Sequence, residues 1–233
     1  MARRVAIVTG GTGGLGQTVV REFLTSGTVV AIPVSGDTKV DSSSRFESET
    51  RILILTADLR NEAAVKGLIA RVAQDLGGVD YLVNLAGGYA GGNLLEDTSL
   101  EEWERMMDLN LTTAFLMTRG VLPLMKSRHF GRIINISAMP ALLPSTRRSA
   151  YAISKKGIAA LTEVTHEEVK GSGITVNAIA PSIIVTDANR KSMPNADLSL
   201  WVTPEEISRL IQYLCSPEAR SISGNVLRVF GGL

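Results

Sequence analysis

Val5-Ala-Ile-Val-Thr-Gly-Gly-Thr-Gly-Gly-Leu-Gly16 joins an apolar, β-rich run to a glycine-rich turn, and Val19, Val20 and Phe23 then recur at helical spacing. The order is strand, tight turn, helix. Glycine lets the backbone pass close to a pyrophosphate, and the free N–H groups and dipole at a helix start favour its negative charge. Placed between a buried strand and a helix, Gly10, Thr12, Gly13, Gly14, Leu15 and Gly16 therefore predict a dinucleotide-binding loop.

The pattern repeats along the chain. Strands are predicted at 28–34, 51–56, 80–84, 131–136, 174–180 and 226–230, and helices at 61–76, 112–125 and 151–169, with another helix starting at the Thr203-Pro204-Glu205-Glu206 capping box. Alternating strands and helices give a single α/β domain over 1–233, a Rossmann fold with a doubly wound parallel sheet of about seven strands and right-handed crossovers. In such a sheet ligands bind at the carboxyl ends of the strands. That edge carries Asp58 and Leu59, which serve either as a ligand contact or as a helix cap. It also carries Asn84 and the loop Leu85-Ala-Gly-Gly-Tyr-Ala-Gly-Gly92, in which Ala86 and Gly87 admit a cofactor and Tyr89 is the only large side chain. At the end of the second strand, where an acid would bind the ribose of NAD, stand Pro33, Val34 and Ser35, with Lys39 and Arg45 following. The missing acid and the cations favour NADP over NAD. Residues 182–202 lack periodicity, and a connection of that length predicts a lid.

The chain has 233 residues, 45% hydrophobic, with 24 Lys and Arg against 23 Asp and Glu. One core suffices for that length, and a balanced charge gives no field to draw nucleic acid or an anionic membrane. A small-molecule substrate fits better. The single Cys215 excludes an internal disulfide framework, and with His129 and His166 it matches no zinc spacing. No segment reads as a signal peptide or a membrane span, so a cytoplasmic protein is expected. The helix at 112–125 is apolar on more than one side and predicts a homodimer or homotetramer.

Tyr151 and Lys155 lie four apart in a predicted helix and share a face. A lysine beside a phenol favours the phenolate and brings the tyrosine toward the range of a general acid. That spacing arises often by chance, and its weight comes from the surrounding motifs.

Together these residues resemble the short-chain dehydrogenase/reductase family over essentially the whole chain. Thr9-Gly10, Gly14 and Gly16 match its glycine motif, Asp58 its adenine-contacting aspartate, and Asn84-Leu-Ala-Gly87 its Asn-Asn-Ala-Gly. Asn110 matches its helix asparagine, Tyr151 and Lys155 its catalytic pair, and Pro181 with Thr186 its Pro-Gly-x-x-x-Thr segment, with Ser182 in place of glycine. The resemblance implies that Tyr151 donates a proton, that Lys155 lowers its pKa and holds the nicotinamide ribose, and that Asn110 fixes a water in the proton path. It also implies cofactor contacts from Pro181, Ile184 and Thr186.

Within the family, the loop 86–92 and the stretch Asn189 to Trp201 resemble dihydropteridine reductase-like members, which implies a quinonoid dihydropterin as substrate. Tyr89, Ala138, Asn189, Met193 and Trp201 would line its pocket, Tyr89 either stacking on a planar ring or packing near Trp201. The family's catalytic serine falls at Ala138. Ser137 is one residue off, and takes its place only if the strand end bends. A general carbonyl or 3-oxoacyl-thioester reductase is the alternative substrate class, and a catalytically silent dinucleotide-binding sensor or scaffold is the alternative of another kind.

Overall fold

The computed structural model describes residues 3–36, 50–143 and 146–233. Its elements are β1 (Val5–Thr9), α1 (Gly14–Thr25), β2 (Val29–Val34), β3 (Ile52–Thr56), α2 (Glu62–Leu76), β4 (Tyr81–Asn84) and α3 (Leu100–Met106). Then come α4 (Thr113–Ser127), β5 (Gly131–Ile136), α5 (Ser149–Val169), β6 (Ile174–Pro181), α6 (Asp187–Ser192), α7 (Pro204–Cys215) and β7 (Val226–Val229). A π-helical stretch, Met107–Thr112, joins α3 to α4. Among the described residues the strands form one parallel sheet in the order β3-β2-β1-β4-β5-β6-β7.

Strand alternation divides the core in two. Ala6 and Val8 point to the side where α1 (Val19, Val20, Phe23) and α7 (Ile207, Ile211, Leu214) pack. Val5 and Ile7 point to the other, against α2 (Val65, Leu68, Ile69, Val72) and α4 (Met117, Val121, Met125). Both sheet faces are covered, which is why β1 reads as continuously apolar and is buried at every position. Burial of each large side chain contributes roughly 1.5–3 kcal/mol.

The predicted strands and helices are all present, with ends differing by a residue or two. Asn61 caps α2 rather than entering it, Ser99 caps α3, and Thr203 closes the expected capping box with Glu206. The chain order reverses between β1 and β4, so the crevice faces the loops after those two strands.

Candidate active site

The loop after β1 is held by glycine geometry. Gly10 has φ +65°, and a Cβ on it would sit 3.0 Å from the Ala86 nitrogen. A Cβ on Gly16 would overlap the Gly10 carbonyl oxygen. Thr9 Oγ1 accepts hydrogen bonds from Leu85 N and Ala86 N, both at 3.0 Å, and so locks the two loops together. Between them opens a cleft of about 480 Å³ lined by Gly10, Thr12, Gly13, Ser35, Asp58, Leu59, Ala86 and Gly87 of the expected residues, together with Arg60. Helix α1 starts beside it with neither an acidic residue in its first turn nor a side-chain cap, so its first N–H groups remain available to an anion. These features fit a dinucleotide. Lys39 and Arg45 lie outside the described residues.

Several expected cofactor residues sit around this cleft rather than in its lining. Gly14 and Leu15 form the first turn of α1, where a Cβ on Gly14 would lie 3.0 Å from Thr186 Cγ2. Thr186 thus brings the segment after β6 against the glycine loop. Ile184 is paired with Val202 and half-buried, at the base of that segment. Asn84 is buried beneath, its Nδ2 donating to Asn135 Oδ1 (2.8 Å) and Thr118 Oγ1 (3.2 Å). Its Oδ1 has no partner among the described residues. Asn135 Nδ2 in turn donates to Thr162 Oγ1, which ties α4, β4, β5 and α5 into one buried polar chain.

Asp58 is gripped by Arg60 through two side-chain contacts of 2.9 Å, and those hydrogen bonds hold its carboxyl below the usual range. It caps no helix, since that task falls to Asn61.

Tyr151 lines a second cavity from α5, and Lys155 lies one turn further along the helix. Burial, aided by Tyr89 and opposed by Arg148, pushes the Tyr151 phenol up to about 12. The expected depression by Lys155 is therefore not found. Lys155 is itself buried, which pulls it down to about 8, and its Nζ donates to the Ile136 carbonyl at 2.9 Å. Its side of the loop after β4 is tight, since a Cβ on Gly87 would lie 3.4 Å from Nζ and overlap Asn110 Oδ1.

The Asn110 side chain is fully engaged. Its Oδ1 accepts from Gly88 N (2.9 Å), and its Nδ2 donates to Gly88 O (3.1 Å) and Ser154 Oγ (3.0 Å). It clamps the loop after β4 to α5 from inside the π-helical stretch. Ser137 also corrects the expectation. Its N–H donates to Ile179 O (2.8 Å), which carries the β5–β6 pairing one residue further and keeps the backbone extended. The buried hydroxyl accordingly points inward and donates to Lys155 O (2.8 Å). The next residue, Ala138, faces the cavity.

That cavity, also about 480 Å³, is lined by Tyr89, Ala138, Tyr151, Asn189 and Met193, as expected, and by Met139, Pro140, Arg148, Ser182, Ile183 and Ser192, which sequence reasoning missed. Tyr89 is 59% exposed and meets Tyr151 edge-on, ring centroids 5.0 Å apart. Among the described residues no ring contact joins it to Trp201. Trp201 is a second correction: it is 6% exposed and absent from the lining, because the Ile184–Val202 bridge draws its segment into the core. The same bridge closes the base of 184–202, and α6 within it supplies Asn189 and Ser192. Arg148 is the N-cap of α5, with extended φ, so no helical face shared with Tyr151 marked it in the sequence.

Comparison with known proteins decides the family. The short chain dehydrogenase family profile matches residues 4–197. The chain belongs to the short-chain dehydrogenase family. Among curated relatives of this short-chain dehydrogenase, D-beta-hydroxybutyrate dehydrogenase of Rhizobium meliloti (strain 1021) is 31% identical, and acetoacetyl-CoA reductase of Shinella zoogloeoides is 34% identical. Each alignment spans 98% of both chains. The solved structure "ElxO with NADP Bound" superposes with a TM-score of 0.92 at 26% identity, covering 99% of this chain and 98% of that one. The family reading stands, with the closer kinship to dihydropteridine reductase not singled out: these relatives are named for hydroxybutyrate and acetoacetyl-CoA. The protein is an oxidoreductase, and no helix among the described residues is long and apolar enough to cross a membrane.

Proposed function

We propose that this dehydrogenase reduces a carbonyl of the 3-oxoacyl class, with Tyr151 as the proton donor. The observation that carries this reading is that Tyr151 lines a cavity whose neighbour, across the loop 86–92, is the glycine-walled cleft. A nicotinamide dinucleotide, when bound, supplies the hydride. The cleft residues hold its pyrophosphate through backbone N–H groups, and Lys155, beside Gly87, holds the ribose end. As the carbonyl carbon accepts that hydride, the Tyr151 hydroxyl would give its proton to the carbonyl oxygen, leaving an alcohol and a phenolate that takes its proton back from solvent. A phenol near 12 is fully protonated at neutral pH, the state a reduction needs.

No serine hydroxyl supports the carbonyl from the usual position, since Ala138 stands there and Ser182 Oγ donates to Phe230 O (2.8 Å). Asn189, Ser192 and Met193 line the same cavity as Tyr151, which supports reading residues 182–202 as a lid over the substrate. The NADP-bound neighbour and the absence of an acid from Pro33 to Ser35 at the end of β2 favour NADPH over NADH. A second reading, reduction of a quinonoid dihydropterin, rests on Ala138 and the exposed Tyr89 ring, because an electron-poor ring depends less on a polarising hydroxyl.

Absorbance of NADPH and NADH is the assay, with acetoacetate, acetoacetyl-CoA and a quinonoid dihydropterin as substrates. Turnover of an oxoacyl compound supports the reading. Turnover of the dihydropterin alone replaces it with the second.

A further inference from the structure

We propose that Arg148 anchors a carboxylate on the substrate, so that the carbonyl compound is a short free 3-oxo acid rather than a thioester. The inference rests on the reductase reading and names its substrate class. Arg148 lines the same cavity as Tyr151, and its Nε is fully buried with no hydrogen-bond partner among the described residues. No ion pair engages it among them, and no acidic residue lines the cavity. The first turn of α5 contains no acid either. A buried guanidinium donor left without a partner is costly, and a bidentate carboxylate is the ligand that relieves it best.

The backbone around Arg148 is held. Gly92 N donates to Arg147 O (2.7 Å), Arg147 Nη1 donates to Gly92 O (3.1 Å), and Ala152 N donates to Arg148 O (2.9 Å). Arg147 itself sits at φ +58°, a conformation that non-glycine residues keep only when their surroundings impose it. The loop that carries Tyr89 thereby fixes the entry into α5. Its charge already reaches the phenol, since Arg148 is among the groups that act on Tyr151.

Spacing selects the substrate. Arg148 is the N-cap of α5 and Tyr151 lies in its first turn, both lining one cavity, so one small molecule touches both. A 3-oxo acid has a single methylene between its ketone and its carboxylate, and it presents the ketone oxygen to Tyr151 and the carboxylate to Arg148. In a thioester the corresponding carbon bears sulfur and no charge, which leaves the guanidinium unmet.

The test is kcat/KM for acetoacetate and for its neutral methyl ester, in the unsubstituted protein, Arg148→Gln and Arg148→Lys. Because both substrates use Tyr151, the acid-to-ester ratio cancels any effect of the substitution on the phenol. The unsubstituted protein is expected to prefer the acid by about tenfold or more, and Arg148→Gln to lower the ratio by at least about tenfold, with Arg148→Lys restoring part of it. A ratio changed by less than about twofold in Arg148→Gln, or turnover of the ester without the acid, overturns the anchor and leaves the reductase reading intact. Turnover of neither compound overturns both.

Discussion

At the scale of single residues, the proton chemistry concentrates in Tyr151 and Lys155. Lys155 is a buried cation whose pKa lies near 8 when folded, against an ordinary value of 10.5. The unfolded chain therefore binds more protons between those two values, and stability rises as pH increases from about 8 to 10. Below that window the penalty for the buried charge is present in full, on the order of 3 kcal/mol. The stability advantage of Lys155→Met over the unsubstituted protein should accordingly be larger at pH 7 than at pH 10, as read by denaturant titration at both. An unchanged difference would show that Lys155 titrates normally. Tyr89→Ala removes an aromatic pair worth about 0.5–1.5 kcal/mol, and should raise KM by up to about tenfold while cofactor affinity, measured by fluorescence titration, barely moves. The spacing of Tyr151 and Lys155 was visible in the sequence because a helix puts i and i+4 together by local geometry. The fate of Ser137 was not, because it depends on whether β6 goes on pairing past Ile136, a contact 42 residues distant in sequence (179 − 137).

At the scale of elements, the loop after β4 and the π-helical stretch act as one unit. Asn110 satisfies both backbone groups of Gly88 and holds Ser154 of α5. Asn110→Ala leaves the two part-buried backbone groups of Gly88 without this partner, while Ser154 keeps its bond to Tyr151 O, and a loss of about 1–3 kcal/mol in chemical denaturation is expected. Because the loop carries Tyr89, kcat/KM should fall with stability. Asn110→Ala that keeps full stability would show that water replaces the amide. Gly87→Ala, whose Cβ would overlap Asn110 Oδ1, should show the same pattern. Sequence patterning located strand, turn and helix here to within a residue or two, since period and capping are local signals. It placed Trp201 wrongly, because one isolated bridge, Ile184 to Val202, rather than any local pattern turns that residue into the core.

At the scale of the molecule, the glycine loop fixed at the β1–β4 reversal and the pair on α5 bring two cavities side by side, and most of that architecture follows from alternation alone. The contents of the second cavity follow less well, because Met139 and Arg148 reach it from the connection between β5 and α5 and Ile183 from the segment after β6. The outer faces of α4 and α5 expose Phe115, Ile153 and Val164, which suits a homodimer or homotetramer built by helix packing. Light scattering should give a multiple of 24.9 kDa, and a monomer mass would refute that assembly. The most direct test of the central claim is the rate of NADPH or NADH oxidation with acetoacetate, in the unsubstituted protein and in Tyr151→Phe at equal cofactor occupancy. The account predicts steady turnover that falls by about a hundredfold or more in the variant, with cofactor affinity within about threefold. Undiminished turnover in Tyr151→Phe, or tight cofactor binding with no oxidation by any oxo acid, thioester or dihydropterin, would contradict it.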